Sequence, residues 1–226
     1  TGQAFAEVPL GDERDVDAAV RAAREAFESG VWSGLTPQQR AEIMIGFADL
    51  VEAHTGQIAM ADSRSNGGTV SWIGGGLWAA ANTVRNLAWY AANKFAWEEE
   101  IAVSGSVYAF GEHRVRREPI GVCAAIAPWN VPHMMALWKI SHALVMGNTL
   151  VLKPASTTPL SALIIASLAN QAGIAVKNAQ LYAEVVLANE YVQNIVATIN
   201  SGVVAINAAG RVTLFNRAAE HLTGLT

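Results

Sequence analysis

The chain has 226 residues and a formal net charge of −4, so it offers no basic field, and nucleic acid is excluded as a partner class. Its one cysteine, Cys123, excludes an internal disulfide framework and fits a reducing, cytoplasmic setting, and its five histidines show no metal-ligand spacing, so no metal site is expected. Mean hydropathy is +0.25, yet the uncharged run from Pro154 to Val176 carries Pro159, Asn170, Gln171 and several hydroxyls, and it reads as buried α/β core rather than a membrane span.

The N-terminus has neither a signal-peptide pattern nor an initiator Met, which reads as a fragment or a processed product. Asp15 to Gly30 is expected to be a helix, with Asp15 or Asp17 as cap, Ala18, Val20, Ala22, Ala23, Ala26 and Phe27 on its apolar side, and Gly30 as its stop. A second helix runs from the cap Thr36 through Pro37 to His54, with Ile43, Phe47, Leu50 and Val51 at helical spacing. Ser63 to Gly76 contains Gly67-Gly68 and Gly74-Gly75-Gly76. No strand precedes it and the G-x-G-x-x-G spacing is absent, so it reads as a helix start or a close helix approach, not a phosphate loop. Leu77 to Phe95 is again helical, with Trp78, Trp89, Tyr90 and Phe95 as packing bulk.

Ile101 to Arg117 alternates apolar and polar residues around Gly111 and predicts a hairpin of Ser106–Phe110 with His113–Arg116, whose exposed edges call for a partner or a cover. Next come an apolar strand, Gly121 to Ala127, the loop Pro128-Trp129-Asn130-Val131-Pro132, and a helix to about Met146 closed by Gly147-Asn148. A second apolar run, Thr149 to Leu152, ends on Lys153-Pro154. This is the pattern of a parallel βαβ unit covered on both faces. In such sheets ligands sit beyond the carboxyl ends of the strands, where Asn130 and Lys153 both fall.

Asn130 suits an oxyanion donor. A fixed side-chain amide stabilises charge developing on a carbonyl oxygen, and removing such a donor costs about 100- to 1000-fold in rate. Pro128 and Pro132 restrain the backbone beside it. The structural alternative is a helix cap, the ordinary use of Asn before a helix. Lys153 can reach a ribose hydroxyl or a phosphate, or can be an ordinary strand-end lysine in solvent. Cys123 lies inside an apolar strand with no adjacent base evident, and an apolar, buried thiol is inert.

Further on, Leu181, Val185, Ala188, Val192, Ile195 and Ile199 form a heptad seam. β-branched residues at one seam position favour a parallel two-stranded coil, though a helix packed on its own domain fits as well. Gly202–Asn207, the turn Ala208-Ala209-Gly210 and Arg211–Asn216 predict a second hairpin, followed by a helix from Arg217 to Leu222.

In their order, Gly121-Val122, Pro128-Trp129-Asn130, Gly147-Asn148, Lys153-Pro154-Ala155 and Thr158-Pro159 resemble the aldehyde dehydrogenase superfamily, over about residues 1–173. The resemblance implies an α/β fold for this part, a partial cofactor domain made of a helical layer, a βαβ unit and a protruding hairpin; the later residues add a long helix and a β-hairpin. It implies NAD or NADP as cofactor, with Asn130 as oxyanion donor and Lys153 on the adenosine ribose. The backbone of Ile126, Ala127, Pro128 and Trp129 would line the nicotinamide side, with Ala155 and Ser156 as further contacts. Ser156 stands where many relatives carry a Glu that disfavours a 2′-phosphate, so NADP should be tolerated. The hairpin at 106–116 would take part in subunit assembly, giving one route to a homo-oligomer and the seam at 181–199 another. The family's Gly-Ser-Thr turn, its Glu-Leu-Gly-Gly base motif and its nucleophilic Cys segment are absent, so the parent reaction, oxidation of an aldehyde to a carboxylic acid, is expected not to turn over.

Leu168 to Tyr182 resembles the closing helix of a GAF domain, and Phe215-Asn216-Arg217-Ala218-Ala219-Glu220 the start of a PAS domain. The expected organisation is therefore 1–173, a linker helix over 174–200 and a truncated PAS-like start over 201–226, the junction lying within 160–173. Two other readings stay open: a dimerising signal-transduction linker, and a fusion or gene-model artefact without evolved function.

Overall fold

The computed structural model describes residues 4–101, 113–173, 204–206, 212–215 and 217–223. They fall into two compact units, Thr1–Gly173 and Ile174–Thr226.

The first unit begins with α1 (Glu13–Glu28). Asp12, not Asp15 or Asp17, is its cap: the Asp12 carboxylate accepts from the backbone N–H groups of Arg14 and Asp15, and the Asp15 side chain accepts from the Asp12 amide at 2.8 Å. The reciprocal pair satisfies amides that a helix start leaves open, which places the boundary three residues earlier than an Asp15 cap would. The Arg14 side chain also bonds to Asp12 and holds its carboxyl below the usual carboxylate range. Helix α2 (Pro37–Ala53) starts as expected, with Thr36 and Gln39 as capping box and Pro37 in the first turn. Ile43, Phe47 and Val51 are buried on it.

A break at His54 separates α2 from a helix the pattern did not reveal, α3 (Thr55–Asn66). Its second half, Asp62-Ser63-Arg64-Ser65-Asn66, is polar and reads as a loop, yet Ile58, Ala59 and Asp62 are buried. Gly67 ends it in the left-handed region at φ 82°, which favours glycine. Helix α4 (Val70–Asn93) then starts at Val70 rather than Leu77, so the glycine trio lies inside it. The close-approach reading holds at Gly76, where a Cβ would sit 3.1 Å from His133 Nε2 and 3.4 Å from Met134 Cε. The core forms among these helices and the two that follow, from Met44, Phe47, Ile58, Ile73, Leu77, Val84, Leu137 and Ile165.

Strands β1 (Glu98–Ile101) and β2 (His113–Arg116) pair antiparallel, Glu98 opposite Arg116 and Glu100 opposite Arg114. The partner of His113–Arg116 is therefore Glu98–Ile101; Ser106–Phe110 lies outside the described residues. Cross-strand ion pairs, Arg116 Nε to Glu98 at 3.7 Å and Arg114 to Glu100 at 3.5 Å, run along this exposed ribbon.

The βαβ unit is present. Strand β3 (Val122–Ile126), helix α5 (Pro132–Val145) and strand β4 (Thr149–Lys153) follow in order, and β3 and β4 pair in parallel from Val122↔Thr149 to Ile126↔Lys153. Arg40 and Trp32 close α5 by donating to the carbonyls of Val145 (3.1 Å) and Leu144 (3.0 Å). Arg40 is buried over the Trp97 ring, and loss of hydration lowers its pKa. The expectation of cover on both faces fails at the carboxyl end: Ile126 is 73% exposed and Ala124 is exposed too. Helix α1 meets the strands at their other end, where Thr149 Oγ1 donates to the Ala23 carbonyl at 2.8 Å. A helix, α6 (160–173), completes this unit and buries Ile165, Leu168 and Ala172.

The second unit contains β5 (Val204–Ile206) and β6 (Val212–Phe215), paired antiparallel with a register shift at Ala205/Ile206, and α7 (Arg217–Thr223). The hairpin and the helix stand where the pattern put them. The seam at 181–199 and the GAF-like ending beyond 173 lie outside the described residues. No helix among the described residues is long and apolar enough to cross a membrane.

Candidate functional site at the carboxyl ends of β3 and β4

Parallel pairing brings two sequence-distant residues to one end of the sheet. Lys153 is the last residue of β4 and stands opposite Ile126, the last of β3; Asn130 lies on the loop that leaves β3. The Ala127 amide donates to the Lys153 carbonyl at 3.0 Å and extends the strand pairing into that loop. Thr158 Oγ1 donates to the Trp129 carbonyl at 3.4 Å, and Asn66 Nδ2 to the Asn130 carbonyl at 3.5 Å. The loop is thus held from the α3 side and from the segment after β4.

The capping alternative for Asn130 does not hold. The residue in the cap position of α5 is Val131, and no side chain caps that helix; Pro132 occupies the first turn, where a missing N–H costs nothing. The Asn130 carboxamide is exposed and has no hydrogen-bond partner among the described residues. It borders a concavity of about 590 Å³ shared with Ser65, Asn66, Trp129, Thr157 and Thr158. Ser65 and Thr158 already donate their hydroxyls to the carbonyls of Ala61 and Trp129, which leaves the Asn130 amide and the Thr157 hydroxyl to donate to an oxygen-rich ligand.

Of the other expected contacts, Trp129 lines this concavity at 65% exposure, while Ile126, Ala127, Pro128, Lys153, Ala155 and Ser156 do not. Lys153 is exposed, and its ammonium donates to the Pro154 carbonyl at 2.9 Å and to Ser156 Oγ at 3.4 Å. Ala127 is buried and its amide already bonded, so it has no free N–H to offer a ligand. An exposed ammonium beside an exposed hydroxyl fits the donor and acceptor needs of a ribose diol.

Cys123 is half-buried rather than buried. It lines a separate concavity of about 340 Å³ with Lys139, His142 and Asn148. The two concavities share no residue, and Cys123 lies three residues before the strand end, about 10 Å along β3. The sulfur is therefore not beside Asn130.

Sequence reasoning missed Ser65, Asn66, Thr157 and Thr158, and it missed a buried polar cluster behind the loop. His133, on the first turn of α5, donates from Nδ1 to Asp62 Oδ2, and Ser161 Oγ donates to Asp62 Oδ1 at 2.9 Å. His133 and Asp62 are fully buried. The signal was a histidine on the apolar side of α5, but its partner is 71 residues away and no spacing rule connects them.

The model of the aldehyde dehydrogenase family matches residues 1–211. The chain belongs to the aldehyde dehydrogenase family. The match runs past residue 173, where the resemblance read from the sequence stops. Phenylacetaldehyde dehydrogenase of Pseudomonas fluorescens is 38% identical over 179 residues, covering 77% of this chain and 35% of that protein. The aldehyde dehydrogenase KauB from Pseudomonas aeruginosa superposes with a TM-score of 0.70 at 40% identity, over 75% of this chain and 33% of that one. A double mutant of betaine aldehyde dehydrogenase from Staphylococcus aureus, in complex with NAD+, gives a TM-score of 0.67 at 31% identity, over 76% of this chain and 34% of that one. This family member thus spans about a third of the length of the relatives it matches.

Proposed function

We propose that this aldehyde dehydrogenase-family chain supplies the oxyanion-donor and ribose-side segments of an NAD(P)-dependent oxidation of an aldehyde to a carboxylic acid, in a reducing, cytoplasmic setting. The observation that carries the reading is the Asn130 carboxamide, without a partner among the described residues, on the loop that leaves β3, with Lys153 at the same end of the paired strand β4. In the parent reaction a thiolate adds to the aldehyde carbon, and negative charge gathers on the former carbonyl oxygen. The Asn130 amide would donate to that oxygen, held in place by the Asn66 bond to its own carbonyl. NAD(P), when bound, accepts the hydride. Lys153 and Ser156 would hold its adenosine ribose by exchanging their mutual bond for bonds to ribose hydroxyls, with the backbone of 126–129 and Ala155 alongside. The thiolate, the general base and the cofactor turn are not encoded in recognisable form, so this chain would bind without turning over.

Calorimetric titration of the full chain with NAD+ and NADP+ tests the cofactor reading. Both should bind, with affinities within about tenfold of one another, because Ser156 puts no charge near a 2′-phosphate. Lys153→Ala should weaken both, and Ser156→Glu should weaken NADP+ selectively. Heat signals equal to buffer blanks for both nucleotides in the parent chain would remove the reading.

The antiparallel β5–β6 pair followed by α7 favours a second reading, in which the later part of the chain is a signalling linker with a PAS-like start. The chain would then self-associate through the seam at 181–199, while the dehydrogenase reading would have it do so through the expected hairpin at 106–116. A strictly monomeric full chain in sedimentation would count against both contacts.

A further inference from the structure

Asp62, His133 and Ser161 belong to three different helices and meet with almost no exposure to solvent. A carboxylate only accepts hydrogen bonds, so His133 carries its hydrogen on Nδ1 toward Asp62 Oδ2, and the second oxygen takes the Ser161 hydroxyl at 2.9 Å. His133 stands three residues after Asn130, and Ser161 opens the helix that follows Lys153 and Ser156. One turn beyond Asp62 on the same face of α3, Asn66 donates to the Asn130 carbonyl at 3.5 Å. Helix α3 therefore grips both halves of the candidate site: the Asn130 loop at two points, and the segment after β4 at one.

We infer that Asp62 is a positioning residue that fixes the Asn130 loop and the Lys153–Ser156 segment relative to each other, through His133 and Ser161. The inference deepens the proposed function and rests on it for the roles of Asn130 and Lys153. A buried carboxylate is a poor means of stabilisation alone, since apolar side chains of similar volume fill such a space without losing hydration. Here the cluster also leaves His133 Nε2 buried without a partner, facing Gly76. What the carboxylate adds is direction. Its two oxygens diverge at a fixed angle and set the first turn of α5 against the first turn of α6. Packed methyl groups would let these slide.

Hydrogen exchange read by mass spectrometry on the full chain tests this with two variants. Asp62→Asn keeps the volume and one acceptor but loses the second. Ser161→Ala removes one bond and leaves the His133 pair intact. In Asp62→Asn, peptides covering 127–135 and 153–161 should exchange about tenfold faster, while those from α1 and the first turns of α2 keep their rates. In Ser161→Ala, acceleration should be confined to 153–161. Uniform acceleration across the unit would mark a purely structural role and overturn the inference, and so would unchanged rates at both segments. If Asp62→Asn does not fold, Ser161→Ala alone decides by the same pattern. Parallel titration with NAD+ and NADP+ separates the two claims. A parent chain that binds neither nucleotide defeats the cofactor reading and leaves exchange to judge the clamp. Binding that is unchanged in Asp62→Asn despite faster exchange defeats the positioning role.

Discussion

An asparagine in front of a helix ordinarily gives its side chain to that helix's first amides, and removing such a cap costs about 1 kcal/mol. Asn130 is arranged otherwise. Val131 takes the cap position, Pro132 removes one of the amides a cap would serve, and the Asn130 carboxamide faces the concavity it shares with Thr157 and Thr158. Asn130→Ala should therefore leave the urea midpoint of the chain nearly unchanged, within about 0.5 kcal/mol, as for a surface side chain without partners. A loss of about 1 kcal/mol or more would show that the carboxamide has a structural partner after all. Pro128-Trp129-Asn130 was legible in the sequence because it stands at a strand end and resembles the aldehyde dehydrogenase motif at that point. Asp62 was not, because its partners are distant in the chain and its local context, Ala61-Asp62-Ser63-Arg64, reads as solvated helix or loop.

Helix α4 shows how the same residue type takes opposite roles one position apart. Glycine in a helix interior costs roughly 1 kcal/mol relative to alanine, so a run of three needs a reason. Gly76 has one: a Cβ there would press on His133 Nε2 at 3.1 Å and Met134 Cε at 3.4 Å. Gly75 has none, since nothing lies within 4 Å of its would-be Cβ. Gly75→Ala should stabilise the chain by about 0.5–1 kcal/mol. Gly76→Ala should give no gain, or a loss of about 1 kcal/mol, because overpacking against α5 cancels the gain in helix propensity. Thermal melts of the two variants check this, and equal stabilisation by both would show that α4 and α5 can separate freely at that point. The apolar periodicity that revealed α2 and α5 could not place the start of α4. Glycines obscure the pattern, and only the partner helix explains them. For the same reason the hairpin arm was placed too late: Glu98-Glu99-Glu100 looks like solvent until its cross-strand arginines are known.

At the scale of the whole molecule, the question is whether the pieces present can complete a reaction. The proposed oxidation would need a thiolate within bonding reach of a carbonyl whose oxygen meets the Asn130 amide, and a base to activate water for the second half. The chain has one thiol. Cys123 sits on β3 in a concavity that shares no residue with the one at Asn130, and the strand separating them is regular and paired along its length with β4. Bringing its sulfur to the Asn130 side would mean breaking that pairing. Cys123 shares its concavity with Lys139 and His142, and a thiol held there does not reach an aldehyde held at the other. The full chain with NAD+ or NADP+ and a simple aldehyde should therefore form no reduced cofactor above a heat-killed control, and Cys123→Ser should leave that baseline where it is. Reduced cofactor that appears in the parent chain and vanishes in Cys123→Ser would mean that β3 and β4 do come apart in solution. Reduced cofactor that survives the substitution would place the nucleophile on a residue other than a cysteine.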